Sequence, residues 1–205
     1  MALTIIEAAT EVRLTTLAAV KAELQVTKNT DDAYLNELID QASDAVRSWC
    51  QRTFAAETVR ETIHLSTCTT ALMLSRWPIT TIFSVEINGE AEDTANVETD
   101  EAGFLRRLTD GRLVFWPATR IVIQYRAGYV LPGQSGRTLP KAIERGVILT
   151  VKDAWHARER DPRLRSENED IPGVMSRQAA YHVVRSWSLL PDVEALVSEY
   201  RQVAI

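Results

Sequence analysis

The chain has 205 residues, of which 45% are hydrophobic and 25% charged, with a formal net charge of −5 at pH 7. That mixture supports one large folded domain or two small ones and excludes a low-complexity chain. No apolar run is long enough to span a bilayer, the first residues lack a basic leader, and Cys50 and Cys68 form no CxxC pair. A soluble protein made in a reducing cytoplasm is the expectation. The charge is unevenly spread. Residues 134–165 carry 4 acids and 8 bases, 1–60 and 61–133 each carry 9 acids and 6 bases, and 166–205 carry 6 acids and 3 bases. The acidic total argues against DNA affinity as the main activity.

After a short lead, "TTLAAVKAEL" (15–24) places Leu17, Val20 and Leu24 on one helical face. The stretch "DDAYLNELIDQASDAVRSWCQRTF" (31–54) carries the strongest helical stripe: Leu35, Leu38, Ile39, Ala42, Val46, Trp49 and Cys50. Asn29 or Thr30 is the expected cap, and Cys50 reads as a small hydrophobe. From residue 57 the period changes to two. "ETVRETIHL", "ALMLSRW", "ITTIFSVEI", "GFLRRL", "RLVFW" and "RIVIQYRAG" read as strands, with hairpin turns at "NG" (88–89) and "TDG" (109–111). No helix is expected among them, so they form an antiparallel sandwich or small barrel. Helical spacing returns over 138–160, with Thr138 as cap, Pro140 in the first turn, and Ile143, Val147, Val151 and Trp155 on the buried stripe. Gly146 interrupts that helix at a cost of about 1 kcal/mol relative to Ala, which suggests a close approach by another backbone. Residues 161–188 are polar and read as irregular and mobile in a lone subunit; "LPDVEALVSEYR" (190–201) reads as a last short helix.

The fold class is therefore α+β, a small α-helical bundle with an inserted antiparallel β unit and a C-terminal tail helix. The expected divisions are an N-terminal helical part (1–56), the β unit (57–128), a helix completing the bundle (129–165) and a flexible tail with its terminal helix (166–205).

Chemistry is sparse. "AGYVLPGQSG" (127–136) follows a strand and precedes a helix, where phosphate loops occur, but it matches neither GxGxxG nor GxxxxGK[ST]. His64, His156 and His182 have no ligand partner at helical spacing, and no GxSxG elbow exists. No catalytic residue, cofactor or metal is expected. The basic run Arg158, Arg160, Arg163 and Arg165 is a solvated helix end or a contact for a partner or DNA. In the last helix, Leu190, Leu196, Val197 and Tyr200 give an apolar face, with Arg201 beside it. That face docks on another protein or folds back onto its own domain.

Five pieces in order, "DDAYLNELIDQASDAVRSWCQRTF", "LSRWPITTIFSVEING", "GRLVFWP…IVIQYRAGY", "LPKAIERGVILTVKDAWHARER" and "LPDVEALVSEYR", resemble the head–tail connector (adaptor) proteins of tailed bacteriophages. The likeness is to the long form of prophages and gene-transfer agents, which carries a β insertion; residues 161–188 follow it only loosely. The resemblance implies a structural virion neck protein, assembled in the bacterial host cytoplasm. It implies a ring, of twelve copies, beneath the portal protein that extends the DNA channel and receives a downstream stopper or tail-joining protein. Packaged DNA would pass without sequence-specific binding, and no membrane is involved. The Leu190–Arg201 face would then dock on the portal, and the basic run would meet a neighbouring subunit or line the channel. A DNA-binding or packaging accessory using residues 156–165 is the alternative.

Overall fold

In the computed structural model, which describes residues 1–100, 102–158, 166–171, 175–180 and 189–202, the chain builds each of two kinds of structure from two separate segments. One unit is Met1–Val12 with Arg52–Leu139, and the other is Arg13–Gln51 with Pro140–Ile205. The first holds the strands β1 (Ala2–Glu7), β2 (Glu57–His64), β3 (Ala71–Met73), β4 (Ile79–Ile87), β5 (Glu90–Glu92), β6 (Val97–Thr99), β7 (Phe104–Thr109), β8 (Arg112–Val114) and β9 (Arg120–Ala127). The second holds α1 (Leu17–Leu24), α2 (Asp32–Cys50), α3 (Lys141–Ala157), the hairpin strands β10 (Ser166–Ile171) and β11 (Met175–Ala180), and α4 (Pro191–Val197). The fold is α+β.

The β unit has two antiparallel sheets. One runs β1-β2-β9-β4-β5; the other runs β3-β7-β6, with β8 paired to β7. Alternation decides what is inside: Val59, Ile63, Ile121, Ile123 and Tyr125 meet Leu72, Leu105 and Trp116 in one buried cluster. Both hairpin signals work as read. Asn88 and Gly89 take φ of 54° and 89°, and Asp110 and Gly111 take 49° and 72°, the left-handed pair a two-residue hairpin needs.

Three features depart from the sequence reading here. Residues 1–14 are not a passive lead, because Ala2–Glu7 pairs antiparallel with β2 and forms the sheet's edge. The stretch 71–77 is a strand only over Ala71–Met73, because Ser75 and Arg76 turn inward to bond β2 and β9. A short 3-10 turn, Thr94–Asn96, interrupts the series, held by Asp93 accepting from the Ala95 N–H.

In the helical unit, α2 and α3 pack together. Leu35, Ile39, Val46, Cys50, Ile143, Val147 and Val151 are fully buried, and Leu38 and Ala42 nearly so. The ends differ from expectation. α2 stops at Cys50 because Gln51 turns left-handed (φ 54°) and its N–H reaches back to Arg47 and Ser48. Asp31, rather than Asn29 or Thr30, is its N-cap. Thr138 does not cap α3; its Oγ1 accepts from the Val130 N–H at 2.9 Å, and Pro140 is the N-cap. The irregular tail expected over 161–188 is also corrected in part, since Ser166–Ile171 and Met175–Ala180 pair as an antiparallel hairpin.

Candidate subunit and partner interface

The most specific sequence pieces, "RWP" and "YRAGY", come together in the β unit as a structural junction. Arg52 is only 7% exposed, and its guanidinium lies 4.2 Å from the Trp77 ring centre and 5.1 and 5.8 Å from those of Phe54 and Tyr129. It also donates to the Trp77 carbonyl. A cation with its polar edge bonded and its faces on aromatic rings is tolerated in such a setting. In the same unit, the fully buried Glu61 accepts from the Ser75 N–H (3.1 Å), the Ser75 hydroxyl (2.6 Å) and the Tyr125 hydroxyl (2.6 Å). Burial above all, and then the charge of Glu61, pushes the Tyr125 hydroxyl well above the usual tyrosine range, so it stays a donor. Arg76 completes the set with a 3.2 Å bond to Glu57.

Gly128 closes the junction. Its N–H donates to the Pro78 carbonyl at 2.9 Å, and the next residue, Tyr129, donates to the Phe54 carbonyl at 2.7 Å. The stretch "RAGY" is thus the exit from the sheet, with the Gly128 and Tyr129 N–H groups both bonded to backbone carbonyls. Sequence reasoning missed Glu61, whose partners lie 14 and 64 positions away. The nearby hollow of about 130 Å³, with Glu7, Glu11, Glu57 and Arg126 on its walls, is smaller than a pocket that encloses a drug-sized ligand. His64 and His156 are exposed. Among the described residues, no cluster of His, Cys, Asp and Glu could hold a metal, and no helix is long and apolar enough to cross a membrane.

The basic run is visible in one residue. Arg158 follows α3, stacks 3.6 Å over the Trp155 ring and lies 3.6 Å from Asp31. Arg160, Arg163 and Arg165 lie outside the described residues. Two other bases of the 134–165 block are engaged inside the helical unit: Arg145 and Lys152 both bond Glu23 of α1 at 2.8 Å. The hydrogen bond from Arg145, and then that from Lys152, holds the Glu23 carboxyl down at about 2.

The tail helix folds back on its own unit. Val193 and Val197 are fully buried, and their Cγ1 atoms would stand 3.3 and 3.0 Å from a Cβ placed on Gly146. The glycine in α3 is thus approached closely by two valine side chains, where a backbone was expected. The Cys50 thiol points at the Val197 carbonyl (3.9 Å), the Gln202 N–H donates to the Cys50 carbonyl (2.8 Å), and Arg201 sits 5.0 Å over the Trp49 ring. Val197 is therefore not presented to another protein. Leu190, Leu196 and Tyr200 are half-buried and Arg201 is exposed, so these four form the outward part of the tail.

A helical bundle interrupted by an antiparallel β insertion defines an α+β class of fold. Residues 13–161 match the model of the head completion protein family, and the chain belongs to that family. No curated protein matches it in sequence. Among solved structures, it is similar to a chain of the neck of an empty gene transfer agent (GTA) particle computed with C6 symmetry, at 17% identity and a TM-score of 0.57. It is also similar to a chain of the virion of a native GTA particle (16%, 0.59) and of the neck of a native GTA particle computed with C12 symmetry (15%, 0.55). Each likeness covers 100% of this chain and 97% of the other. At these identities the likeness is one of fold.

Proposed function

We propose that this head completion protein is a structural component of a virion neck, joining a DNA-filled head to the tail. The observation that carries the reading is the family match over residues 13–161, taken with likenesses that run the full length of neck and virion chains. In this reading, copies of the chain form a ring, of twelve subunits where the neck has twelvefold symmetry. The ring sits under the portal, extends the DNA channel and receives the downstream stopper or tail-joining protein. DNA passes through without sequence-specific contact. Arg158, with its side chain against Asp31 and Trp155, fits a structural anchor better than a DNA contact.

The test is removal of the chain from a particle-producing strain. DNA-filled heads without tails should accumulate, and tails should join when the purified protein is added back. Particles that acquire tails normally in its absence would overturn the reading. Binding of the lone protein to DNA with a steep salt dependence would favour the packaging-accessory alternative.

A further inference from the structure

The five-stranded sheet ends on a strand, β1, that pairs with no further strand among the described residues. β1 pairs with β2 on one side only, and all six of its residues are exposed. Leu3 is 36%, Ile5 50% and Ile6 53% exposed, so apolar side chains stand free on both faces. The strand holds no proline, and its one charged side chain, Glu7, stands at its far end, leaving Ala2–Ile6 uncharged. Edge strands of lone proteins are normally blunted by such residues, by bulges or by a covering element. The irregularity of β1 falls at its far end, between Ile5 and Glu7, and leaves Ala2–Ile5 in regular register. The strand is therefore an open template for one more strand.

The same chain holds an element with the opposite need. β10 and β11 form a two-stranded antiparallel sheet that joins no third strand among the described residues. A two-stranded hairpin is marginal in water by itself and gains its stability from a further strand or a packing surface.

We propose that the open edge of β1 is the seam between copies of this chain, and that the β10–β11 hairpin of a second copy adds to it. The occupant is a second copy because the two elements, an edge lacking a partner and a hairpin lacking a third strand, lie on one sequence. The contact is heterologous: each subunit offers one edge and one hairpin. Such contacts propagate from copy to copy and close into a ring when the rotation allows, whereas a two-fold contact stops at a dimer. The proposal rests on the ring reading given above and assigns the elements that make the ring.

The experiment is a complementation. In the double variant Leu3→Lys, Ile5→Lys the edge carries charge at positions already exposed, so the fold should persist while strand addition is blocked. In a second variant, residues 166–180 are replaced by a Gly/Ser linker of equal length. Each variant alone should fail to form the large assemblies that wild type forms by light scattering, at high concentration or on neck-deficient particles. Mixed together, they should give a one-to-one heterodimer, because one retains its hairpin and the other its edge. A mixture that stays monomeric overturns the seam, as does wild-type-like assembly by either variant. Should wild type itself show no self-association in solution or on particles, the ring reading falls and the seam with it. A wild type that assembles beside edge variants that do so equally well refutes the seam alone.

Discussion

Gly128 stands at φ +118°, and a Cβ built on it would lie 2.4 Å from the Ala55 carbonyl oxygen, a backbone atom that cannot swing aside. Gly128→Ala therefore meets both a backbone conformation that side chains avoid and a direct overlap. It should cost at least the 1–3 kcal/mol or so typical of a strained residue, read as a lower urea midpoint. Tyr125→Phe removes one of the donors to the buried Glu61 and should cost about 1–3 kcal/mol. Wild-type stability in both variants would refute the junction as the keystone of the β unit. A glycine after a strand is legible in the sequence as a turn. The buried carboxylate is not: Glu61 falls on the inward side of β2, where alternation expects an apolar residue, and its partners come from distant turns and strands.

At the scale of elements, apolar periodicity was the informative signal wherever a face is buried. The stripes of α2 and α3 are read at full length because tertiary packing repeats every three or four residues. Helix ends were less legible, since a left-handed Gln51 and a Thr138 bonded to Val130 answer to local hydrogen bonding. β1 was invisible as a strand because its exposed faces leave no alternation, and the polar β10 and β11 were missed in the same way. Between α1 and α3 there is an ion-pair clamp at the surface, in which Arg145 and Lys152 both bond Glu23. Its carboxyl is depressed from 4.5 to about 2. A depressed acid contributes stability that is fully present above its unfolded value and is lost as pH falls through its folded value. The stability gap between wild type and Glu23→Gln should therefore be constant above about pH 5 and narrow steadily between pH 4.5 and 2. Denaturation midpoints across that range check it, and a gap independent of pH would mean that the clamp contributes nothing.

For the molecule as a whole, the question is what remains on its surface for partners once its own contacts are made. Part of the basic block is already paired within its own unit, at the unit's surface: Arg145 and Lys152 bond Glu23, and Arg158 pairs with Asp31 and lies over Trp155. Charge counts along a sequence could not separate a base bonded within its own bundle from one offered to a neighbour. The tail teaches the same lesson, because an apolar helical face reads alike whether it awaits a partner or covers Gly146. Here Val193 and Val197 cover it, so the two sides of the tail can be tested apart. Val197→Ala leaves a cavity against α3 and should lower stability by about 1–3 kcal/mol, within the range of large-to-small core changes, without a specific effect on partner binding. Leu196→Glu, on the half-buried outer side, should leave stability nearly unchanged, because the charge reaches water. If the outer side of the tail docks on the portal, as the neck reading proposes, Leu196→Glu should weaken retention on purified neck-deficient particles at least tenfold. Placing a charge in the apolar part of an interface costs more than the roughly 1.4 kcal/mol that a factor of ten represents. Equal retention of Leu196→Glu and wild type, with Val197→Ala losing only stability, would leave the tail helix as a lid on its own bundle and move the docking surface elsewhere.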